Sequence, residues 1–380
     1  MDDTRAELIV AEKEFRDHII SKRFIIIFLI MLALSAYGII KGLEDYQACL
    51  DYYKEIKNDI SMNPSISELV NNLKVQMQQA EADGASVEEI QGLKAQIAQY
   101  TNPPMPSILI IFYKFNNYFI IIGAALALSM GYNLISKERE EGTLKLLLSH
   151  PLFRDSVING KAIGSILVLT IVTIAVFILT ISILLMYGLV PTFNDIIFII
   201  GSFVNALLYC IVFLGIAIML STITKNSTTS ILLLLGIVFI FYMITEFSQP
   251  LTQLIIGNPP DATVQANMLN ATDTNGNNLN EKYLTTTTVT RQPNDKYKKY
   301  WDNSRQIYQA INIISPIFNY NIISNALISK QNPYVDTLYG SDVTILDTMS
   351  LVSINIFAII VEIVVTFSIS YVAFMRMDVR

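Results

Sequence analysis

Six long runs of apolar residues constrain this chain more than any other feature. A membrane core about 30 Å thick needs roughly 20 apolar residues in helical form, and six segments approach or exceed that length. The predicted spans are residues 24–41, 107–135, 162–187, 196–220, 231–247 and 349–375. These runs lack the polar–apolar alternation of barrel strands, and backbone in lipid must satisfy its own hydrogen bonds. The sequence therefore predicts an all-α polytopic membrane protein with six transmembrane helices.

The composition agrees with a chain that lies mainly in lipid. Of its 380 residues, 52% are hydrophobic and only 15% are charged, whereas soluble domains carry about 25% charge. The net charge of −6 is distributed loop by loop and gives no basic face that would indicate nucleic-acid binding. We therefore expect the lipid bilayer as a partner and no nucleic acid.

The distribution of Lys and Arg predicts the orientation. About half of the 26 basic residues fall in the short segments that share a side with the N-terminus. Short loops rich in Lys and Arg remain in the cytoplasm. Both termini are therefore predicted to be cytoplasmic in a multi-pass protein of the cell membrane, with two large extracytoplasmic insertions at 42–106 and 248–348.

Residues 1–23 have the pattern of an amphipathic helix. Leu8, Ala11, Phe15 and Ile19 recur at helical spacing, with charged residues between them. Such a helix is expected to lie on the inner leaflet before the chain enters the membrane. An ordinary charged tail is the alternative.

The first insertion, 42–106, has two capping-box candidates that begin at Ser65 and Ser86, each followed by apolar residues at helical spacing. Asp83-Gly84 lies between them as a turn. The pattern predicts a helical hairpin.

The second insertion, 248–348, is less regular. Residues 257–280 are typical of a loop, and Leu284–Thr290 has the β-branched content of a strand. Asn270 begins a glycosylation sequon on the predicted outer side. The stretch Tyr308–Ile328, which includes Ser315-Pro316, is apolar enough to enter the outer leaflet as an interfacial or re-entrant helix.

No motif indicates an enzyme. Gly160-Lys161 does not belong to a nucleotide-binding loop, because Asp155 and Ala162 occupy the positions that need Gly and Ser or Thr. The two histidines, His18 and His150, are remote from each other, and no Cys or carboxylate cluster has metal-ligand spacing. We expect no catalytic, cofactor or metal site in this chain.

The inner loop at 136–161 has more structure than a simple connection between spans needs. It begins with a dense charge run, continues through Gly142-Thr143, and then places leucines on one face of a short helix that Pro151 ends. A short helix with an apolar face and charged flanks suits insertion into a groove of another protein. In the alternative interpretation, the leucines contact lipid and the charges only anchor the loop.

The order of residues in this loop resembles the ABC-2 family of ABC-transporter permeases. The matching elements are Glu138-Arg139-Glu140-Glu141-Gly142-Thr143-Leu144, Leu147-Leu148, Pro151, Arg154 and Gly160-Lys161. Lys13-Glu14-Phe15 followed by Arg23 is similar to the N-terminal elbow helix of that family, and Ser315-Pro316 also fits it.

This resemblance implies the transmembrane subunit of an ATP-driven exporter of the type V fold. The loop would dock as a coupling helix on a cytoplasmic ABC ATPase subunit, and a second copy or a paralogous permease would complete the pore. ATP and Mg would bind in the partner subunit and no cofactor in this chain. The residues that would contact the ATPase are Glu138, Arg139, Glu140, Glu141, Gly142, Thr143, Leu144, Leu147, Leu148, Pro151 and Arg154.

Two other functions stay open. Glu362 lies near the middle of the last span, where an acid costs roughly 2.5–3.5 kcal/mol, so it needs a partner, a polar cavity or a proton. It therefore supports an ion- or proton-coupled transporter or channel. The large insertions would suit a non-transporting protein that transmits mechanical work to an extracellular partner.

Overall fold

The computed structural model describes residues 3–62, 64–82, 90, 92–94, 96–97, 101, 105–145, 153–259, 295–329 and 344–377. Within these ranges the regular structure is helical and no strand occurs. Several predictions lie outside them: the turn at Asp83-Gly84, the helix face of Leu147 and Leu148, Pro151, the sequon at Asn270 and the strand at Leu284–Thr290.

The chain divides into two compact units, residues 1–238 with 316–380 and residues 239–315. The helices, in chain order, are α1 (Asp3–Ile20), α2 (Lys22–Met62), α3 (Pro64–Ala82), α4 (Ile111–Gly131), α5 (Ser136–Glu140), α6 (Arg154–Met186), α7 (Phe193–Ile223), α8 (Ser227–Ile256), α9 (Asp295–Asn312), α10 (Pro316–Ser329), α11 (Ile345–Leu351) and α12 (Ser353–Met375).

Six helical segments are long and apolar enough to cross a membrane. They are Lys22–Glu55, Ile108–Glu140, Arg154–Met186, Phe193–Ile223, Ser227–Ile256 and Ser353–Met375. Each overlaps one of the six apolar runs that the sequence predicts as spans. The second run begins one residue before its segment and the last run begins four residues before its segment. Most of these helices extend beyond the predicted C-terminal residue of their span. Hydropathy identifies where a helix is apolar and does not show where its helical conformation ends.

The first insertion departs from its predicted beginning. α2 runs unbroken from Lys22 to Met62, so the first span continues into the residues assigned to the hairpin. Beyond α3, Lys94 Nζ lies 3.5 Å from Glu81 Oε1. These residues therefore lie side by side, as the two arms of a helical hairpin would.

α7 is the most buried of the six candidate spans and forms the centre of the first unit. It packs against α4, α10 and α12. Phe203 of α7 contacts Phe112 and Phe115 of α4, with ring centroids 6.5 and 5.6 Å apart. Gly131 and Ala217 bring the other ends of these helices together, since a Cβ on Gly131 would lie only 2.5 Å from that of Ala217. Small residues permit such close packing in membranes.

The second unit contains the later part of α8, with Pro250 inside it, and α9. Tyr300 of α9 donates a hydrogen bond of 2.8 Å to the Gly257 carbonyl oxygen at the end of α8. Its ring packs edge-on against Trp301.

Candidate functional site: the coupling segment

The described part of the predicted docking loop, residues 136–145, is called the coupling segment below. It consists of α5, a reversal at Glu141-Gly142 and the first turn of another helix. Gly142 has φ +75°, a left-handed conformation that glycine adopts at little cost. Thr143 Oγ1 donates to the Glu138 carbonyl oxygen at 3.3 Å across this reversal.

The coupling segment is attached to the ends of two other spans. Ser221 Oγ, near the end of α7, accepts hydrogen bonds of 3.0 Å from the backbone N–H groups of Ile135 and Ser136. Glu140 Oε2 accepts from the backbone N–H of Ser227, the first residue of α8, at 3.2 Å. A carboxylate at a helix N-terminus is favoured by the helix dipole and satisfies a free N–H group.

Lys161 of α6 provides a third attachment. Its Nζ lies 2.8 Å from Glu138 Oε1 and 2.9 Å from Glu14 Oε2 of α1. The side chain is 4% exposed, so this cation is stabilised by two carboxylates rather than by water. One lysine therefore joins α1, α6 and the coupling segment. The second oxygen of Glu138, Oε2, is buried without a hydrogen-bond partner among the described residues.

His18 extends this group of residues along α1. Its Nε2 lies 3.1 Å from Ser165 Oγ and 3.4 Å from Glu14 Oε1. Burial lowers the pKa of His18, and the charge of Lys161 lowers it further, whereas Glu14 raises it. Burial is the largest effect, so the neutral imidazole is favoured.

α1 can reach Lys161 because two glycines on α6 let the helices approach. A Cβ at Gly160 would lie 2.7 Å from the Glu7 carbonyl oxygen, and one at Gly164 would lie 2.6 Å from that of Ala11. The face of α1 that packs here contains the buried residues Ala6, Val10, Ala11 and Glu14. In the predicted apolar stripe, by contrast, Leu8 is 66% exposed and only Ala11 is buried.

The structure separates the predicted docking residues into two groups. Glu138 and Glu140 have the internal partners described above, and Leu144 is buried. Glu141, Gly142 and Thr143 are exposed at the tip, and Arg139 is half-buried. Leu147, Leu148 and Pro151 lie outside the described residues. The contact with an ATPase stays a prediction for all of them.

The predicted end of the loop, at Gly160-Lys161, lies within a helix in the structure. α6 begins at Arg154, so Gly160 and Lys161 belong to a helix rather than to a loop. Arg154 Nη1 donates to the Met375 and Met377 carbonyl oxygens at 3.3 and 2.9 Å. It therefore caps the C-terminus of α12, where a cation is favoured.

Glu362 lies on α12 beside the short helix α10. Its Oε1 accepts from Asn319 Nδ2 at 3.1 Å, and Asn319 Oδ1 accepts from Asn355 Nδ2 at 2.9 Å. Glu362 Oε2 is buried without a partner among the described residues. The hydrogen bonds of α10 and α12 therefore satisfy one of the two oxygens of this carboxylate, which needs polar partners inside a membrane.

Further polar side chains hold α10 among the spans. Asn205 Nδ2 of α7 donates to Ser324 Oγ at 2.9 Å. Tyr320 OH donates to Asn116 Oδ1 of α4, also at 2.9 Å. Asn116 is 4% exposed, so this hydrogen bond lies inside the packed helices.

Sequence reasoning missed Lys161 and Glu14 as a pair. The available signal was an isolated lysine within a helix that becomes apolar immediately after it. A charge there needs a counter-charge from another element, but periodicity does not identify which one.

Comparison with known protein families identifies the family of this chain. No curated protein matches the chain. A family model described as ABC-2 family transporter protein matches residues 8–379, nearly the whole length. The six candidate spans, the segment that follows α4 and all but the first five residues of the N-terminal helix α1 lie within that match. The chain belongs to the ABC-2 family of transporter proteins and is a component of a membrane transporter.

Proposed function

We propose that this chain is the transmembrane subunit of an ATP-driven ABC exporter, which pairs with separate cytoplasmic ATPase subunits. The observation that carries this proposal is the attachment of one short segment to several helices. Ser221, Ser227 and Lys161 connect the coupling segment to α7, α8 and α6, and Glu14 adds α1. A force applied to this segment would therefore act on several spans together.

The exposed tip of the coupling segment is the part to which a partner protein could apply this force. Glu141 and Thr143 are exposed, and Gly142 gives the chain its reversal. The tip is thus available to a soluble partner, while the buried ion pairs behind it resist deformation. In this mechanism ATP and Mg bind in the partner subunit, and closure of two ATPase subunits moves the tip. The segment then moves α6, α7 and α8 as a group around a path completed by a second copy of this chain or a paralogous permease.

The proposal is tested by photo-crosslinking from the tip. A photoreactive amino acid at position 141 is expected to capture an ABC ATPase in the native membrane, and mass spectrometry would identify it by its nucleotide-binding motif. The control places the same group at Lys225, which is exposed on another connection between spans. Failure at position 141, or equal capture of the ATPase from both positions, would contradict docking at the tip.

Coupling is tested separately in the reconstituted complex. Glu141→Ala removes a charge at the tip, and within the described residues its one ion pair is with exposed Lys137, 3.8 Å away. We expect lower stimulation of ATP hydrolysis with unchanged unfolding temperature, and no effect of Lys225→Ala. Stimulation at the wild-type level would remove Glu141 from the docking surface.

A second candidate, an ion- or proton-coupled transporter, is favoured by one observation, the half-buried Glu362 whose buried Oε2 has no hydrogen-bond partner among the described residues. The two proposals differ in energy source. Transport by proteoliposomes that contain this chain alone, driven by a proton gradient and without any ATPase, would favour the second.

A further inference from the structure

We propose that a cavity between α1, α2 and the coupling segment binds the phosphate headgroup of an anionic phospholipid. The cavity has a volume of about 640 Å³, within the roughly 300–1,000 Å³ range of ligand sites. Lys13, Lys22 and Arg23 line it together with Asn133. This inference does not depend on an ATPase partner or on the direction of transport.

Most of the acidic side chains that line the cavity form ion pairs with lysines, whereas several of the basic side chains do not. Glu14 and Glu138 are both bound to Lys161, and Glu141 lies 3.8 Å from Lys137. Each of these acids therefore already faces a cation within the same wall.

Three other cations lack such neutralisation. Within the described ranges, no carboxylate oxygen lies within 4 Å of Lys13, Lys22 or Arg23. Arg23 donates instead to the hydroxyl of Tyr132. Asp17 is the one remaining acid among the lining residues. Because Glu14 and Glu138 share the one charge of Lys161, the five Lys and Arg residues and four acids of the lining leave a net charge of +1. This excess favours an anion, and phosphate oxygens are strong acceptors for Lys and Arg.

The position of these cations identifies the source of the anion. Lys22 and Arg23 are the first residues of a candidate span, where Lys and Arg lie at the depth of the lipid headgroups. The next residues, Ile25 and Ile26, are 42% and 59% exposed. An apolar surface directly beside the cations suits an acyl chain attached to the headgroup. A soluble phosphate would use the cations but not the isoleucines.

Native mass spectrometry of the full-length protein tests the proposal. We expect the wild type to retain phosphatidylglycerol in preference to phosphatidylcholine with the same acyl chains. Near a membrane each Lys or Arg contributes to anionic lipid binding, so each cation removed should reduce retention about fivefold. The variant Lys13→Gln/Lys22→Gln/Arg23→Gln should lose the preference. Lys225→Gln, an exposed lysine outside the cavity, should keep it.

A second variant and a phosphate control complete the test. The single variant Lys22→Glu repeats the test with one exposed residue, in case the triple variant does not fold. Equal phosphatidylglycerol retention by the wild type and Lys22→Glu, or an equal loss in Lys225→Gln, would overturn the proposal. Inorganic phosphate alone should not raise the unfolding temperature. If it did so as strongly as phosphatidylglycerol, the ligand would be a soluble phosphate and the lipid assignment would be wrong.

Discussion

Lys161 Nζ lies 2.8 Å from Glu138 Oε1 and joins the beginning of one membrane-crossing helix to the short segment that follows another. Because Glu14 contacts the same nitrogen at 2.9 Å, the pair also fixes the N-terminal helix.

Replacing Lys161 with Met should destabilise the protein. Two carboxylates would lose their shared cation in a buried site, a change that costs about 3–5 kcal/mol. The unfolding temperature in detergent would fall, whereas Lys145→Met, at an exposed position, should leave it unchanged. The triple variant Glu14→Gln/Glu138→Gln/Lys161→Met should recover part of the loss. If Lys161→Met unfolds at the wild-type temperature, the ion pairs do not hold these helices together.

Alanine at Gly160 or Gly164 should separate α1 from α6. The added methyl group would lie under 3.0 Å from the backbone of α1, which cannot move away without disturbing the contacts of Glu14. Hydrogen exchange of the amides in α1 would then become faster. Gly236→Ala is the matched control, since nothing lies within 4 Å of its Cβ position. Unchanged exchange at both sites would show that α1 does not depend on this packing.

Asn319→Leu should destabilise the contact between α10 and α12. Glu362 Oε1 would lose the hydrogen bond from Asn319 Nδ2, and Asn355 Nδ2 would lose its hydrogen bond to Asn319 Oδ1, at about 1 kcal/mol for each hydrogen bond removed. Glu362→Gln should have a small effect, because an amide can still accept from Asn319. The readout is again the unfolding temperature. A larger loss in Glu362→Gln than in Asn319→Leu would contradict this assignment.

His18 should make the stability depend on mildly acidic pH. Its pKa is lowered from the ordinary value of 6.5, mainly by burial, so the folded state takes up this proton less readily than the unfolded state. The stabilisation from neutral His18 is therefore complete above pH 6.5 and is lost as the pH falls from there toward the lowered pKa. Between about pH 7.5 and about pH 5, the unfolding temperature of the wild type should fall more than that of His18→Gln. Parallel curves would mean that His18 does not titrate differently on folding.

The sequence predicted the parts of this fold that follow from periodicity and hydropathy. The six spans could be predicted, because an apolar run in lipid must satisfy its own backbone hydrogen bonds and a helix does so within one segment. The ends of α2 and α6 were less predictable. Helix continuation through Gly42 and through Gly160-Lys161 depends on packing against α4 and α1, which local patterns do not encode.

The candidate site was predicted as a location but not as a set of contacts. The charge run and Gly142 identify where the chain reverses. The sequence does not tell which charges face a partner, because Glu138 and Glu141 have the same chemistry and lie three residues apart. Only the tertiary position of Lys161 distinguishes the buried acid from the exposed one.

α2 contains 41 residues in one helix, a length of about 60 Å at 1.5 Å per residue. The hydrocarbon core is about 30 Å thick, so roughly half of this rod projects beyond it. A rotation of about 10° around the Lys22 end would displace the far end by about 10 Å. Small rotations near Lys22 are therefore amplified into larger movements at the far end of this helix.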